Sequence, residues 1–286
     1  MIKIEKYLKE LNIKPIEIQQ VPESYSSEVY LLILNQNQKF ILKIPYNQSK
    51  YKREIKILKL LEGKLPVPKI INHYFDMEDK RGVILLSYID GVPINKEIDD
   101  KLAFEMGNLL AKVHSIKMPY FNLNDKEEDW DTSIKTKFDN WILECRGNIE
   151  DDFLDKCKSK FNQMSKKLPK ADGPCLVHFD YRPGNILIKD NKIVGLIDFE
   201  SSRGGAADID FTKMKLYVFD RFKNSKKSFV KGYESIRKMP NIDIALPFYL
   251  FFNGVGGLAW CVRRNEIDKE FFIENYNQVK EILREK

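Results

Sequence analysis

The chain predicts an α+β protein of two lobes, a small antiparallel β-rich lobe followed by a larger, mainly helical one. Three observations carry this expectation. Short β-type runs crowd the first ninety positions, and longer runs with helical spacing follow them. A chain of 286 residues with 43% hydrophobic content is also long enough for two structural units. The change of pattern puts the boundary after Ile89, giving lobes 1–89 and 90–286.

Taken in order, Ile4, Tyr7, Leu8 and Leu11 share one face of a short helix that ends near Asn12. Residues 16–21, 29–34 and 39–44 read as strands, the last two joined by the polar turn 35–38. Side chains alternate across a strand, so Phe40, Leu42 and Ile44 share one face and Lys43 points to the other. Residues 51–61 have helical spacing, with Glu54, Leu58 and Leu61 on one stripe. Gly63, Pro66 and Pro68 stop that helix, and strands at 70–74 and 83–89 follow around the turn 77–82. The second strand leads into Ser87, Tyr88, Ile89, Asp90 and Gly91, an expected hinge, and the amphipathic run 102–116 opens the helical lobe. The apolar run 244–262 is interrupted by Pro247, Asn253 and three glycines, which suits a buried core helix better than a membrane span.

The chemistry gathers in LVHFDYRPGNILIKDNKIVGLIDFE. Residues 175–177 read as a strand entering a loop, and 186–188 and 193–197 as a hairpin turning at 189–192. His178, Asp180 and Asn185 therefore sit on the loop and Asp198 ends the hairpin, while Pro183 and Gly184 bend Asn185 back toward Asp180. Alone, each has a bland reading as a turn former or core histidine. Together they suit phosphoryl transfer from a magnesium-bound nucleotide to a hydroxyl, with Asp180 as base and Asn185 and Asp198 on the metal. Arg182 is a candidate for stabilising the transferred phosphate, because a fixed guanidinium suits its oxygens.

Two further expectations follow. A carboxylate on the inward stripe of a helix needs a partner, and Lys43 is the natural one for Glu54, the pair holding an ammonium against the nucleotide phosphates. The alternative is a solvated Glu54 among Lys52, Arg53 and Lys56. The backbone at Ser87, Tyr88 and Ile89 would read a purine edge, with Val83 and Leu85 packing the ring.

Composition excludes other classes. The net charge of +6 comes from 48 basic and 42 acidic residues mixed along the chain, too balanced for nucleic acid as the main partner. Lys223, Lys226, Lys227 and Lys231 read as a solvated helix face. Cys145, Cys157, Cys175 and Cys261 form no C-x-x-C pair, and with three histidines no zinc-ligand spacing emerges, so reduced structural thiols are expected. The start, MIKIEKYLKELN, lacks an apolar signal core. A cytoplasmic monomer without membrane partner is the expectation.

The residues so far resemble the aminoglycoside phosphotransferase and choline kinase family, relatives of eukaryotic protein kinases, from about residue 15 to 252. FILKIP, KREIKIL, LLSYIDGVPI, LAKVHS, HFDYRPGN, IDFE and GGAADIDF carry the resemblance. It implies a bilobal protein-kinase-like fold, Mg2+, and ATP or GTP as phosphoryl donor. It also implies Asp180 as base, Asn185 and Asp198 on magnesium, the Lys43–Glu54 pair, His178 as a scaffold and Asp208 as a brace of the catalytic loop. The chain departs from the pattern in three places. Ser24 to Tyr30 replaces a glycine-bearing phosphate loop, leaving Ser26 and Ser27 to bind phosphate through hydroxyls and amides. Phe179 stands where glycine is usual, and IDFE replaces D-F-G. The lack of an A-P-E segment argues against protein substrates.

The acceptor is a small molecule with a hydroxyl. Acidic residues at Asp125, Glu127, Glu128, Asp129 and Asp131, and at Glu150, Asp151, Asp152 and Asp155, would attract a cationic acceptor such as an aminoglycoside, or else are ordinary solvated faces. Choline, other amino alcohols or metabolites and non-aminoglycoside antibiotics stay open. A non-catalytic nucleotide-binding module is the alternative of another class. Retention of Lys43, Asp180, Asn185 and Asp198 argues against it.

Overall fold

The computed structural model describes residues 2–22, 27–36, 38–95 and 97–284, so Ser26 lies outside the described residues. Along the chain run α1 (Ile2–Glu10), β1 (Glu17–Gln20), β2 (Ser27–Asn35), β3 (Gln38–Pro45), α2 (Gln48–Leu61), β4 (Ile70–Asp76), β5 (Arg81–Ser87), β6 (Val92–Pro93) and α3 (Asp100–His114). Then come α4 (Trp130–Cys145), α5 (Asp151–Ser165), β7 (Cys175–Val177), β8 (Ile186–Lys189), β9 (Lys192–Leu196) and β10 (Arg203–Gly205). The chain finishes with α6 (Phe211–Met214), α7 (Ser225–Glu234), α8 (Ile242–Arg264) and α9 (Glu270–Arg284).

Packing groups these into two units, Met1–Met106 with His178–Ser202, and Gly107–Val177 with Arg203–Lys286. The boundary expected after Ile89 follows the change of element type along the chain. Packing instead keeps the stretch through Met106 and the whole His178–Ser202 segment with the first unit. Backbone hydrogen bonds show why: β6 pairs with β8, Leu196 donates to Pro66 at 2.8 Å, and Ile94 donates to Ile186 at 3.1 Å.

In the first unit five antiparallel strands lie in the order β1-β2-β3-β5-β4. Ile4, Tyr7, Leu8 and Leu11 of α1 pack with Leu32, Leu42, Ile44, Val83 and Leu85 on one face. Each such buried aliphatic or aromatic side chain contributes roughly 1.5–3 kcal/mol. The register pairs Leu42 with Leu85 and Lys43 with Ile84, which sets Lys43 on the opposite face, the one α2 covers. Val83 and Leu85, expected to pack a purine, therefore belong to the α1 core. A one-residue step in a strand changes face, so Ile84 and Leu86 are the β5 residues that share the Lys43 side. Asn47 caps α2 by accepting from the Lys50 amide at 2.9 Å, and Gly63 ends it at φ 73°.

In the second unit β7 pairs with β10, Val177 opposite Arg203. Helices α4, α5, α8 and α9 build the main core, where Phe138 and Phe161 stack at 4.2 Å and Trp130 donates to Tyr249 at 2.8 Å. Helix α8 is long and apolar enough to cross a membrane by length and composition, but 67% of its apolar window is buried inside the protein. It is a core helix, as expected from its interruptions. The four cysteines are free and buried, and burial pushes the Cys145, Cys157 and Cys175 thiols up to about 12, which keeps them unreactive.

Candidate active site

Lys43 and Glu54 meet as the strand and helix periods require. The ammonium lies 2.8 and 2.9 Å from the two Glu54 oxygens, and both side chains are buried. Asp198 Oδ1 lies 2.7 Å from the same ammonium and Glu200 Oε2 3.4 Å. Burial alone would lower the Lys43 pKa, but the three carboxylates outweigh it and hold it well above the usual value. Burial pushes the Glu54 carboxyl up to about 7; Asp198 and Glu200 add to the rise and Lys43 opposes it.

The loop from His178 to Asn185 is held from both ends. Phe179 takes a left-handed backbone at φ 66°, turning the chain sharply between His178 and Asp180. His178 Nε2 donates to the Ile197 carbonyl at 3.0 Å and Nδ1 accepts from the Asp180 amide at 3.3 Å. The ring also packs on buried Phe199 at 4.7 Å, so His178 is a scaffold between loop and hairpin. Tyr181, wholly buried, donates to the Met106 carbonyl at 2.7 Å.

These anchors fix Asp180. Its Oδ2 accepts from Arg182 Nε at 3.0 Å and from Asn185 Nδ2 at 2.8 Å, while Nδ2 also reaches the Asp180 carbonyl at 2.8 Å. Asn185 is tied to the hairpin because Ile197 donates to its carbonyl at 3.0 Å. Arg182, expected at the transferred phosphate, is thus placed first against Asp180. A guanidinium at that distance fixes the direction of the carboxylate.

With the Asn185 amide nitrogen committed to Asp180, its Oδ1 is the ligand atom left to this side chain, and Asp198 supplies carboxylate oxygens with its side chain 33% exposed. Magnesium takes oxygen ligands and usually uses one or two carboxylates with substrate phosphates. This donor set fits it. No cluster of three or more His, Cys, Asp or Glu able to hold a metal occurs among the described residues.

Other expected residues have different neighbours. The Ser27 hydroxyl donates to Glu200. Ser87 Oγ accepts from the Lys69 amide at 2.9 Å, Lys39 lies over the Tyr88 ring at 5.4 Å, and Ile89 packs beside Gly195. Asp208 is buried in the second unit, and that burial pushes its carboxyl up to about 6. Several acidic residues of the helical region have local tasks. Asp129 caps α4 by accepting from Thr132, Glu128 accepts from Asn124 and Ser133, and Asp152 pairs with Lys156. The residue that motif reading missed is Glu200. Its one signal was a carboxylate standing where D-F-G has glycine.

A carboxylate held by Arg182 and Asn185, with a lysine–glutamate pair reaching an aspartate, is an arrangement suited to phosphoryl transfer of the kinase type. The family model described as "Phosphotransferase enzyme family" (APH) matches residues 17–242, and the chain belongs to that family. It is 28% identical over 198 residues to an aminoglycoside 3'-phosphotransferase of Enterococcus faecalis, covering 64% of this chain and 71% of the relative. A Staphylococcus aureus protein of the same name matches with the same identity and coverage. Among solved structures, the gentamicin complex of APH(2")-IIa has a TM-score of 0.76 at 20% identity, covering 99% of this chain and 96% of that one. The GDP and kanamycin complex of APH(2")-IIia has 0.75 at 15%, covering 99% and 98%. A ternary complex of APH(4)-Ia with AMP-PNP and hygromycin B has 0.74 at 13%, again covering 99% and 98%. The fold is protein-kinase-like, with an antiparallel sheet in the N-terminal part and helices predominating after it.

Proposed function

We propose that this chain transfers the γ-phosphoryl group of ATP or GTP, held as the magnesium complex, to a hydroxyl of an aminoglycoside. The observation that carries the reading is the Asp180 carboxylate, aimed by Arg182 and Asn185 and folded into the same unit as Lys43, Glu54 and Asp198. The names of the relatives and the kanamycin, gentamicin and hygromycin B of the superposed complexes support the acceptor class. GDP and AMP-PNP in those complexes keep both purine donors in view.

In the reaction, Asp180 takes the proton as the acceptor O–H bond breaks, and the new O–P bond forms as the bond to the bridging β–γ oxygen breaks, leaving a nucleoside diphosphate. Because Oδ2 is already fixed by two donors, the carboxylate needs no reorganisation at that moment. Lys43, anchored by Glu54, presents its ammonium to the donor phosphates. Arg182 holds the base and lies beside the transferred group. Asn185 Oδ1 and Asp198 would hold magnesium, which supplies neutralisation of phosphate charge when bound. His178 keeps the loop in register, and Asp208 is assigned to bracing it. The same reading places the protein in the cytoplasm as a single chain with small-molecule partners, conferring antibiotic resistance, and assigns it no nucleic-acid or membrane partner.

The test is a transfer assay with Mg-ATP and Mg-GTP across kanamycin, gentamicin, hygromycin B, choline, other amino alcohols and a macrolide. Phosphomonoester on an aminoglycoside, with raised tolerance in cells expressing the chain, is the expected result. Turnover of choline or another amino alcohol with none of any aminoglycoside would replace the acceptor class. Nucleotide binding without transfer to any acceptor would favour the non-catalytic module.

A further inference from the structure

Glu200 meets four other residues of the first unit, Ser27, Lys43, Lys50 and Arg53. Its side chain is 3% exposed, yet Oε1 lies 2.5 Å from Lys50 Nζ, and Oε2 accepts from the Ser27 hydroxyl and lies 3.4 Å from Lys43. Its carbonyl accepts from Arg53 at 2.7 Å. One residue, two positions after Asp198, thus joins the start of β2, Lys43 on β3 and the first turns of α2. A buried carboxylate is costly unless paired and hydrogen-bonded, and two ammoniums and a hydroxyl meet that demand. Its location gives those contacts a direction. Lys43 is shared between Glu54 and Asp198, and Glu200 is the third carboxylate beside the same ammonium.

We propose that Glu200 is a positioning residue for the phosphoryl donor. It draws Lys43 and, through Lys50, the start of α2 into place, so that Asp198 and Lys43 present the charge pattern that the magnesium nucleotide meets. The proposal rests on the phosphotransferase reading above. Residues that orient metal ligands and their neighbours typically govern affinity by about 10–100-fold, a larger effect than an exposed ion pair would have.

The experiment measures magnesium-ATP and magnesium-GTP binding by calorimetry without acceptor, alongside steady-state kinetics and melting temperature, for wild type, Glu200→Gln, Glu200→Asp, Lys50→Met and the Glu200→Gln/Lys50→Met double variant. Glu200→Gln should weaken nucleotide binding by about 10–100-fold while the acceptor KM stays within about twofold. Glu200→Asp should recover part of the loss. The double variant should lose no more than Glu200→Gln alone, since the two substitutions break one interaction. Glu200→Gln that binds nucleotide as wild type does, with only a lowered melting temperature, would overturn the proposal and leave the functional reading intact. Wild type that binds no magnesium nucleotide would overturn both. If Glu200→Gln does not fold, Lys50→Met decides: weakened nucleotide binding supports the proposal, unchanged binding overturns it.

Discussion

Replacing Asp180 by Asn separates a base from a metal ligand. In the wild type Oδ2 accepts two hydrogen bonds, from Arg182 at 3.0 Å and Asn185 at 2.8 Å. An asparagine can keep both by placing its carbonyl oxygen at the Oδ2 position, so the loop geometry survives. The cost to stability is the weakening of two charge-assisted bonds to neutral acceptors at a partly exposed site, about 1 kcal/mol. The cost to chemistry is far larger. An amide cannot take the hydroxyl proton, and general-base catalysis contributes ~10²–10⁴ in rate, or roughly 3–5 kcal/mol of barrier. Turnover of Asp180→Asn should fall by that factor, while magnesium-nucleotide affinity changes no more than about threefold, because Asp198 and Asn185 keep their oxygens. Steady-state kinetics paired with nucleotide titration in the absence of acceptor read the two quantities separately. Turnover within about tenfold of wild type would remove Asp180 as base. Loss of nucleotide affinity in step with turnover would assign it to the metal instead.

Other substitutions test the remaining links. Lys43→Met leaves Glu54 buried without its cation, which should cost about 3–5 kcal/mol and most of the nucleotide affinity; normal affinity by calorimetry would refute the pair's role. The Asp208 carboxyl is pushed by burial from 3.8 up to about 6, so its neutral form is favoured by folding, and the stability it contributes is full below pH 4 and lost as pH rises through 6. Asp208→Asn should therefore match wild type near pH 4 and be more stable by roughly 3 kcal/mol above pH 7, with lower turnover if Asp208 braces the loop. Denaturant curves across that range check the sign, and a gain confined to acid would contradict it. Asp129→Ala removes the α4 cap and should cost about 1 kcal/mol in thermal or denaturant unfolding without moving the acceptor KM; a raised acceptor KM would restore that acid to acceptor binding.

The strands around Lys43 were legible because alternation alone fixes which side chains share a face, and the inward stripe of residues 51–61 supplied Glu54 as partner. His178, Asp180, Asn185 and Asp198 were legible because they lie within one short loop and hairpin. Glu200 was not, since its lysine and serine partners lie 150 and 173 residues away and nothing local reports that burial. Val83 and Leu85 were assigned to the wrong role because face depends on register against β3, which the β5 residues alone do not specify. The acidic runs could be read as a cation-attracting surface or as solvated faces, and caps such as Asp129 and pairs such as Asp152–Lys156 become visible only when helix starts are known. The contact of Arg182 with Asp180 was not legible, since spacing alone does not say whether an arginine two residues from an aspartate folds back on it.

The division of the chain has a consequence for its biosynthesis. The first unit ends its first pass at Met106, yet Asp198 and Glu200, which join Lys43 there, arrive only with the segment His178–Ser202. At elongation rates of about 5–20 residues per second, the ribosome needs roughly 5–20 seconds to deliver that segment, after the intervening Gly107–Val177. Until it is made, Lys43 and Glu54 have neither Asp198 nor Glu200 to meet. A chain truncated after Met106 would lack Asp198 and Glu200, and with them two of the three carboxylates around Lys43.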